Sequence, residues 1–243
     1  MRFCIGKIPI DVITNEEEAI SQIMDIINNT TKVSFITTLN PEIAYRAEID
    51  RRIRTIVSSS TLSLIDGIGI AKLIYWKTGI KARRITGVDT IRKLLLQLNH
   101  SIPVYLFGAR ETVLSTVLDT LKKENPNLNI VGFSHGYQSW DIVAKDIENK
   151  KPRLLLVALG AGRQEKFMFY YIRKLKFPIV TIGVGGSFDV WSGTVQRAPQ
   201  IIQQMGMEWL WRNIKEPSRI GRLSLSVLYM ILAMKKEVLY CEK

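Results

Sequence analysis

The chain has 243 residues, 47% of them hydrophobic, and 34 Lys and Arg against 22 Asp and Glu give a formal net charge of +12. That length and apolar content support one large α/β domain or a main domain with a small appendage, and exclude wholesale disorder. The charge favours anionic partners, whether nucleotide phosphates, nucleic acid or an acidic membrane face, without choosing among them.

Phe3–Ile10 reads as a first short strand or ribbon. Asn15 then introduces EEEAISQIMDII, whose Ala19, Ile20, Ile23, Ile26 and Ile27 recur at helical spacing behind an acidic first turn. Lys32–Leu39 is strand-like and ends in Thr37, Thr38 and Asn40, with Pro41 suited to a helix start and one helix predicted over Glu42–Ser58. Leu62–Ile65 is a short strand stopped by DGIGI, which puts Asp66 at a strand-to-loop boundary. A helix is predicted from near Asp89, a strand over Ile102–Phe107, a helix over Val113–Leu121, a strand over Asn129–Phe133 and a helix over Trp140–Asn149.

Two β-branched or leucine-rich runs then stop in glycines, LLLVALGAGRQEKF from Leu154 and FPIVTIGVGGSFDVWSG from Phe177. Buried parallel strands that deliver loops to a sheet edge read this way, and such edges are where open α/β sheets bind ligands. The strand–helix cadence predicts a mostly parallel sheet covered on both faces. Beyond it, Met207–Ile214 is predicted helical and Ile220–Tyr240 one or two short helices.

Each candidate site residue has a chemical reading and a plainer one. Asp66 is a general base or a hydroxyl-orienting carboxylate, or else a turn or capping residue. The Thr37–Asn40 tip offers hydroxyls and an amide to a ligand, or caps the next helix. Arg84 binds a diphosphate or belongs to a solvated basic cluster with Lys81 and Arg83. In GAGRQEK, Gly160 and Gly162 bring backbone amides close to a ligand with Gln164 beside them, and Gly185 and Gly186 do the same in the next loop, although neither a GxxxxGK[ST] nor a GxGxxG pattern is present. His100 and His135 form no base or metal pair, DGIGI is not a DxD motif, and no metal or cofactor is expected.

Cys4 and Cys241 lack metal-ligand spacing and read as free thiols of a cytosolic protein, with a disulfide as the alternative. Met1–Val12 has no long apolar core, so no secretory signal is expected. Leu223–Met234 falls short of the roughly 20 residues that span a bilayer. With Arg212, Arg219 and Arg222 ahead of it, that stretch suits an anionic membrane interface, docking over the domain, or a homo-oligomer contact.

The ordered set of Thr37–Asn40, DGIGI, Arg84 with TGVD, LGAGRQEK, GVGGSFDVWSG, Arg197-Ala198-Pro199 and GMEWL resembles the WecG/TagA/CpsF family of bacterial glycosyltransferases, and within it the TagA-like N-acetylmannosaminyltransferases. The resemblance covers most of Val33–Arg222 and departs at Gly162, where many members have proline, and at Met207, where leucine is common. It implies a Rossmann-like core over 1–206 and a small helical, basic and apolar membrane-targeting appendage over 207–243. It also implies a metal-independent, inverting transfer of N-acetylmannosamine from UDP-ManNAc to undecaprenyl-diphosphate-GlcNAc, giving the β-1,4-linked lipid of wall teichoic acid linkage-unit synthesis.

By the same resemblance Asp66 is the base, and Thr37, Asn40, Arg84 and Gln164 bind substrate. Arg212, Arg219 and Arg222 meet the acceptor diphosphate or the membrane. The expected location is the inner face of the cell membrane, peripherally attached from the cytoplasm. The other readings are a UDP-ManNAcA or UDP-glucose transferase, a membrane adaptor, and a nucleic-acid-binding module. The last lacks a basic recognition helix or paired RNA-stacking aromatics, and nucleic acid is not an expected partner.

Overall fold

The computed structural model describes residues 1–204, 208, 210–211 and 220–241. The chain opens with an antiparallel hairpin of β1 (Arg2–Ile5) and β2 (Ile8–Asp11). There follow α1 (Glu16–Asn29), β3 (Val33–Leu39), α2 (Pro41–Ile49), α3 (Arg51–Ser58), β4 (Leu62–Ile65), α4 (Ile68–Thr78), α5 (Gly87–Gln97), β5 (Val104–Gly108) and α6 (Glu111–Glu124). The second half comprises β6 (Ile130–Ser134), α7 (Trp140–Lys150), β7 (Leu154–Ala158), α8 (Arg163–Tyr170), β8 (Ile179–Gly183), α9 (Ser187–Trp191), α10 (Gln200–Gln204), α11 (Ile220–Met234) and β9 (Val238–Tyr240).

Six strands form a parallel sheet in the order β4-β3-β8-β7-β5-β6. Its strands read as continuous apolar runs because both faces are covered. On β7, Leu154 and Leu156 join a core with α1, α5, α6 and α9, while Leu155 and Val157 face α3, α7 and α8. The predicted α/β architecture with a mostly parallel sheet is the one observed. β3 and β8 are neighbours although four strands separate them in the chain, and the crevice outside their carboxyl ends is the place where such a sheet receives ligands.

The predicted starts of α1 and α2 hold in detail. Asn15 Oδ1 accepts from the Glu18 amide at 2.8 Å, and Asn40 Oδ1 accepts from the Ile43 amide at 2.9 Å with Pro41 in the first helical position. The single helix expected over Glu42–Ser58 is in fact two. Asp50 is extended (φ −118°, ψ 114°); its amide ends one helix on the Arg46 carbonyl at 2.9 Å, and its carboxylate starts another by capping the Arg52 amide at 2.9 Å.

Two expectations at the chain ends are corrected. The segment after α11 is a strand, β9, which pairs antiparallel with β1 and makes a three-stranded sheet β2-β1-β9. That pairing brings the termini together, and Cys4 and Cys241, read from sequence as free thiols, form a disulfide with Cα atoms 6.1 Å apart. Helix α11 buries Tyr229 and Ala233 in a cluster with Ile43, Ala47, Ile70 and Ile74.

Candidate active site

The C-terminal ends of β4, β3, β8 and β7 lie side by side, and each delivers one of the motifs singled out in the sequence. Asp66 follows β4 directly, and its amide donates to the Leu39 carbonyl at 2.9 Å, which prolongs the β3–β4 pairing by one rung. Across the crevice, the Thr38 hydroxyl donates to the Gly183 carbonyl at 3.0 Å and ties β3 to β8. Thr37 is buried and donates to Ser63 Oγ at 3.1 Å, while Asn40 caps α2. These two residues hold the strand tip in shape.

The segment before α5 crosses the end of β4, with the Ile85 amide on the Ile65 carbonyl at 2.7 Å. It carries Arg84 to Asp66. Arg84 Nε donates to the Asp66 carbonyl at 3.3 Å, and its Nη2 lies 3.9 Å from Asp66 Oδ1 and 3.1 Å from Glu208 Oε2. Asp66 is about a quarter exposed (23%), so a ligand in the crevice can reach it. Gly87 begins α5 against this carboxylate: a Cβ there would meet Thr38 Cγ2 at 2.8 Å and Asp66 Oδ2 at 3.5 Å. We expect Gly87→Ala to fold and to lower activity at this crevice about tenfold, because a methyl 2.8 Å from Thr38 Cγ2 forces the β3 tip beside Asp66 to shift; thermal melts run beside initial rates separate this from a loss of stability.

Glu208 is buried between two guanidiniums. Besides Arg84 it accepts from Arg197 Nε at 2.8 Å, and Arg197 Nη1 reaches Asp89 Oδ1 at 2.5 Å while its Nη2 donates to Gln203 Oε1 at 2.8 Å. Burial acts to raise the Asp89 carboxyl, but the hydrogen bonds from Arg197 and Thr86 outweigh it and hold the group below its ordinary value. The stability this adds is present above the ordinary carboxylate range and is lost as pH falls through the lowered value. Sequence reasoning assigned no role to Arg197 or Glu208. The available signal was an acidic residue inside the apolar GMEWL run, since a buried carboxylate requires a cation.

Gln164 and Glu165 open α8 and are both buried. Gln164 lies against Gly183 and accepts from the Gly185 amide at 3.0 Å, and Glu165 accepts from the Gly162 amide at 2.6 Å. Of the four backbone donors expected from sequence, the Gly162 and Gly185 amides thus serve the loops themselves. Gly162 has φ +88°, a left-handed value closed to proline. Gly186, at φ −93°, has no such requirement.

A polar groove of about 330 Å³ runs along the far side of Arg84, between Glu16, Thr86, Asp89 and Lys93. A larger hollow of about 420 Å³ lies at the opposite edge, by the N-terminal ends of β5, β7 and β8, where Arg153 donates to the Asn28 carbonyl at 2.9 Å and satisfies the end of α1. It is remote from the crevice. His135 accepts from the Tyr137 amide at 3.2 Å and His100 is exposed elsewhere. Among the described residues no group of three or more His, Cys, Asp or Glu is placed to hold a metal ion. Arg212 and Arg219 lie outside the described residues, and Arg222 lies on α11 with its side chain outside the description.

Residues 3–240 match the Glycosyl transferase WecG/TagA/CpsF family. The N-acetylglucosaminyldiphosphoundecaprenol N-acetyl-beta-D-mannosaminyltransferase of Bacillus subtilis (strain 168) is 39% identical over 204 residues, covering 83% of this chain and 79% of that protein. The enzymes of the same name from Bacillus spizizenii and Staphylococcus aureus (strain MW2) are 34% and 30% identical, covering 85% and 84% of this chain and 80% of each relative. A match over nearly the whole chain, with the family's motifs gathered at one sheet edge, establishes that the chain belongs to the WecG/TagA/CpsF family of glycosyltransferases.

Proposed function

We propose that the protein transfers N-acetylmannosamine from UDP-ManNAc to undecaprenyl-diphosphate-linked N-acetylglucosamine, the step that completes the disaccharide lipid of the wall teichoic acid linkage unit. The observation that carries the reading is a partly exposed Asp66 at the β3–β4 tip, with a guanidinium 3.9 Å away, in a chain 39% identical to a relative of that name. Asp66 takes the proton of the acceptor 4-hydroxyl as that oxygen bonds to the anomeric carbon of the donor. The bond from that carbon to the UDP oxygen breaks on the opposite face, the centre inverts to the β-linkage, and the electron pair leaves with UDP. A positioned carboxylate supports the weak hydroxyl nucleophile, and cations supply the charge that a leaving diphosphate needs.

In this reading Arg84 serves the diphosphate and Gln164 meets the sugars, while Thr37 and Asn40 hold the strand tip that frames them. No metal is required. Transfer assayed in EDTA with UDP-ManNAc, UDP-ManNAcA and UDP-glucose tests it. Dominant use of UDP-ManNAc supports the assignment, another preferred sugar replaces the donor, and no turnover on a verified lipid acceptor removes it.

The same reading places the 1–206 core at the cytoplasmic face of the membrane, held there by the 207–243 appendage. Support comes from α11, where Val227, Leu228, Ile231, Leu232 and Met234 are exposed beside exposed Trp76 of α4. Among the described residues no helix is long and apolar enough to cross a membrane, and the exposed apolar face of α11 suits peripheral attachment. We expect Leu228→Glu with Ile231→Glu to lower co-sedimentation with anionic vesicles at least about tenfold while leaving the melting curve in place. If instead that double variant alters the oligomeric state in sedimentation, the apolar face is a contact between copies.

A further inference from the structure

Glu165 is a buried carboxylate that the proposed chemistry does not use. Only 2% exposed, it has both carboxylate oxygens taken up within the protein: the Gly162 amide donates to Oε2 at 2.6 Å and Gln164 Nε2 to Oε1 at 2.8 Å. The other end of the Gln164 amide accepts from the Gly185 amide at 3.0 Å. A continuous hydrogen-bonded path therefore runs from the loop after β7 to the loop after β8. It has no slack, since a Cβ on Gly183 would stand 2.5 Å from Gln164 Nε2.

The polarity of this path is set from both ends, by Glu165 and by the Gly185 amide. A carboxylate only accepts and a backbone amide only donates, so the Gln164 amide must turn its nitrogen to Glu165 and its oxygen to Gly185. Reversing it would oppose two donors at one end and two acceptors at the other. Burial pushes the Glu165 carboxyl up, and the hydrogen bonds from Gln164 and Gly162 oppose that rise, so the contact that orients the Gln164 amide also favours the charged acceptor.

We infer that Glu165 is a positioning residue for the transfer reaction, fixing the orientation of the Gln164 amide and joining the Gly160–Gly162 and Gly183–Gly186 loops into one wall of the donor site. The inference rests on the reading of this crevice as a sugar-nucleotide site.

Glu165→Gln replaces one acceptor by a donor and breaks the path. In the reciprocal double variant Q164E/E165Q, the amide at 165 donates to the carboxylate at 164, which still accepts from Gly185, so the path is rebuilt with the carboxylate moved. Hydrogen exchange at Gly162 and Gly185 should quicken in Glu165→Gln and return toward wild type in the double variant. KM for UDP-ManNAc should rise about tenfold in Glu165→Gln, the size of one lost hydrogen bond, with a smaller change in kcat. It should stay raised in the double variant, whose loops are tied but whose position 164 no longer offers an amide. Wild-type exchange at Gly185 in Glu165→Gln, or a loss confined to kcat, overturns the inference. Should Glu165→Gln fail to fold, the double variant decides: a wild-type KM there also overturns it. If the wild type turns over none of the UDP sugars, the reading of the crevice fails, and the exchange data still judge the path between the loops.

Discussion

Asp66→Asn should fold as the wild type does and transfer N-acetylmannosamine about 10²–10⁴-fold more slowly, the range a positioned general base contributes. The amide replaces one carboxylate oxygen by a group of the same size, so the packing of Gly87 and the main-chain bond from residue 66 to the Leu39 carbonyl are kept. The proton acceptor is what goes. Arg84 keeps Glu208 at 3.1 Å, so the cationic side of the site stays in place and UDP binding by calorimetry should change little. A variant that binds UDP and turns over slowly thus assigns proton removal to Asp66. Equal turnover in Asp66→Asn would keep the transferase and dismiss this base, and joint loss of binding and turnover would make the residue a substrate anchor instead.

The parts of this site that follow from local chemistry were legible in the sequence. Asn40 before Pro41 is a helix cap that can be read from two residues, and a short run, LSLI, stopped by Asp and Gly places Asp66 at a strand end. The glycine-stopped runs after Leu154 and Phe177 likewise announced β7 and β8. What could not be read is what distant segments do to one another. Arg84 and Glu208 are 124 residues apart, and Arg197 and Asp89 are 108 apart. No periodicity encodes that their charges alternate around the crevice.

The C-terminal strand was missed for a related reason. Val238–Tyr240 is too short to show a period, and it is a strand because β1 offers it an edge. The pairing of Cys4 with Cys241 follows from that edge and had no sequence signal of its own. The break at Asp50 is different. It was visible in principle, because Asp is a capping residue, but the apolar spacing of Ile43, Ala47 and Ile53 on either side disguised it.

Asp11→Ala should cost about 3–5 kcal/mol of folding stability, the usual penalty for removing one partner of a buried ion pair. Asp11 is 2% exposed and accepts from Arg2 Nε at 2.9 Å, Arg2 Nη2 at 2.7 Å and the Ser63 amide at 2.8 Å. Alanine would strand a guanidinium that is 11% exposed together with a buried main-chain donor. Arg2 also donates to the Ser60 and Thr61 carbonyls at 3.0 Å, so the pair fastens the hairpin to the start of β4. β4 is the last strand of the parallel sheet on that side, and the Asp11 carboxylate covers the Ser63 amide of its outer edge.

The cost should therefore be felt at the site as well, since Asp66 lies three residues beyond Ser63. A lowered urea midpoint with an unchanged m-value measures the first effect, and a steeper fall of activity with temperature, well below the melting point, measures the second. The paired variant R2M/D11L should recover most of the stability, because an apolar pair of similar volume leaves no charge stranded, although the Ser63 amide still loses its acceptor. If Asp11→Ala unfolds at the wild-type midpoint, the hairpin is an ornament on the sheet; if the midpoint falls and R2M/D11L restores it, the hairpin is the clamp that keeps the Asp66 strand in register.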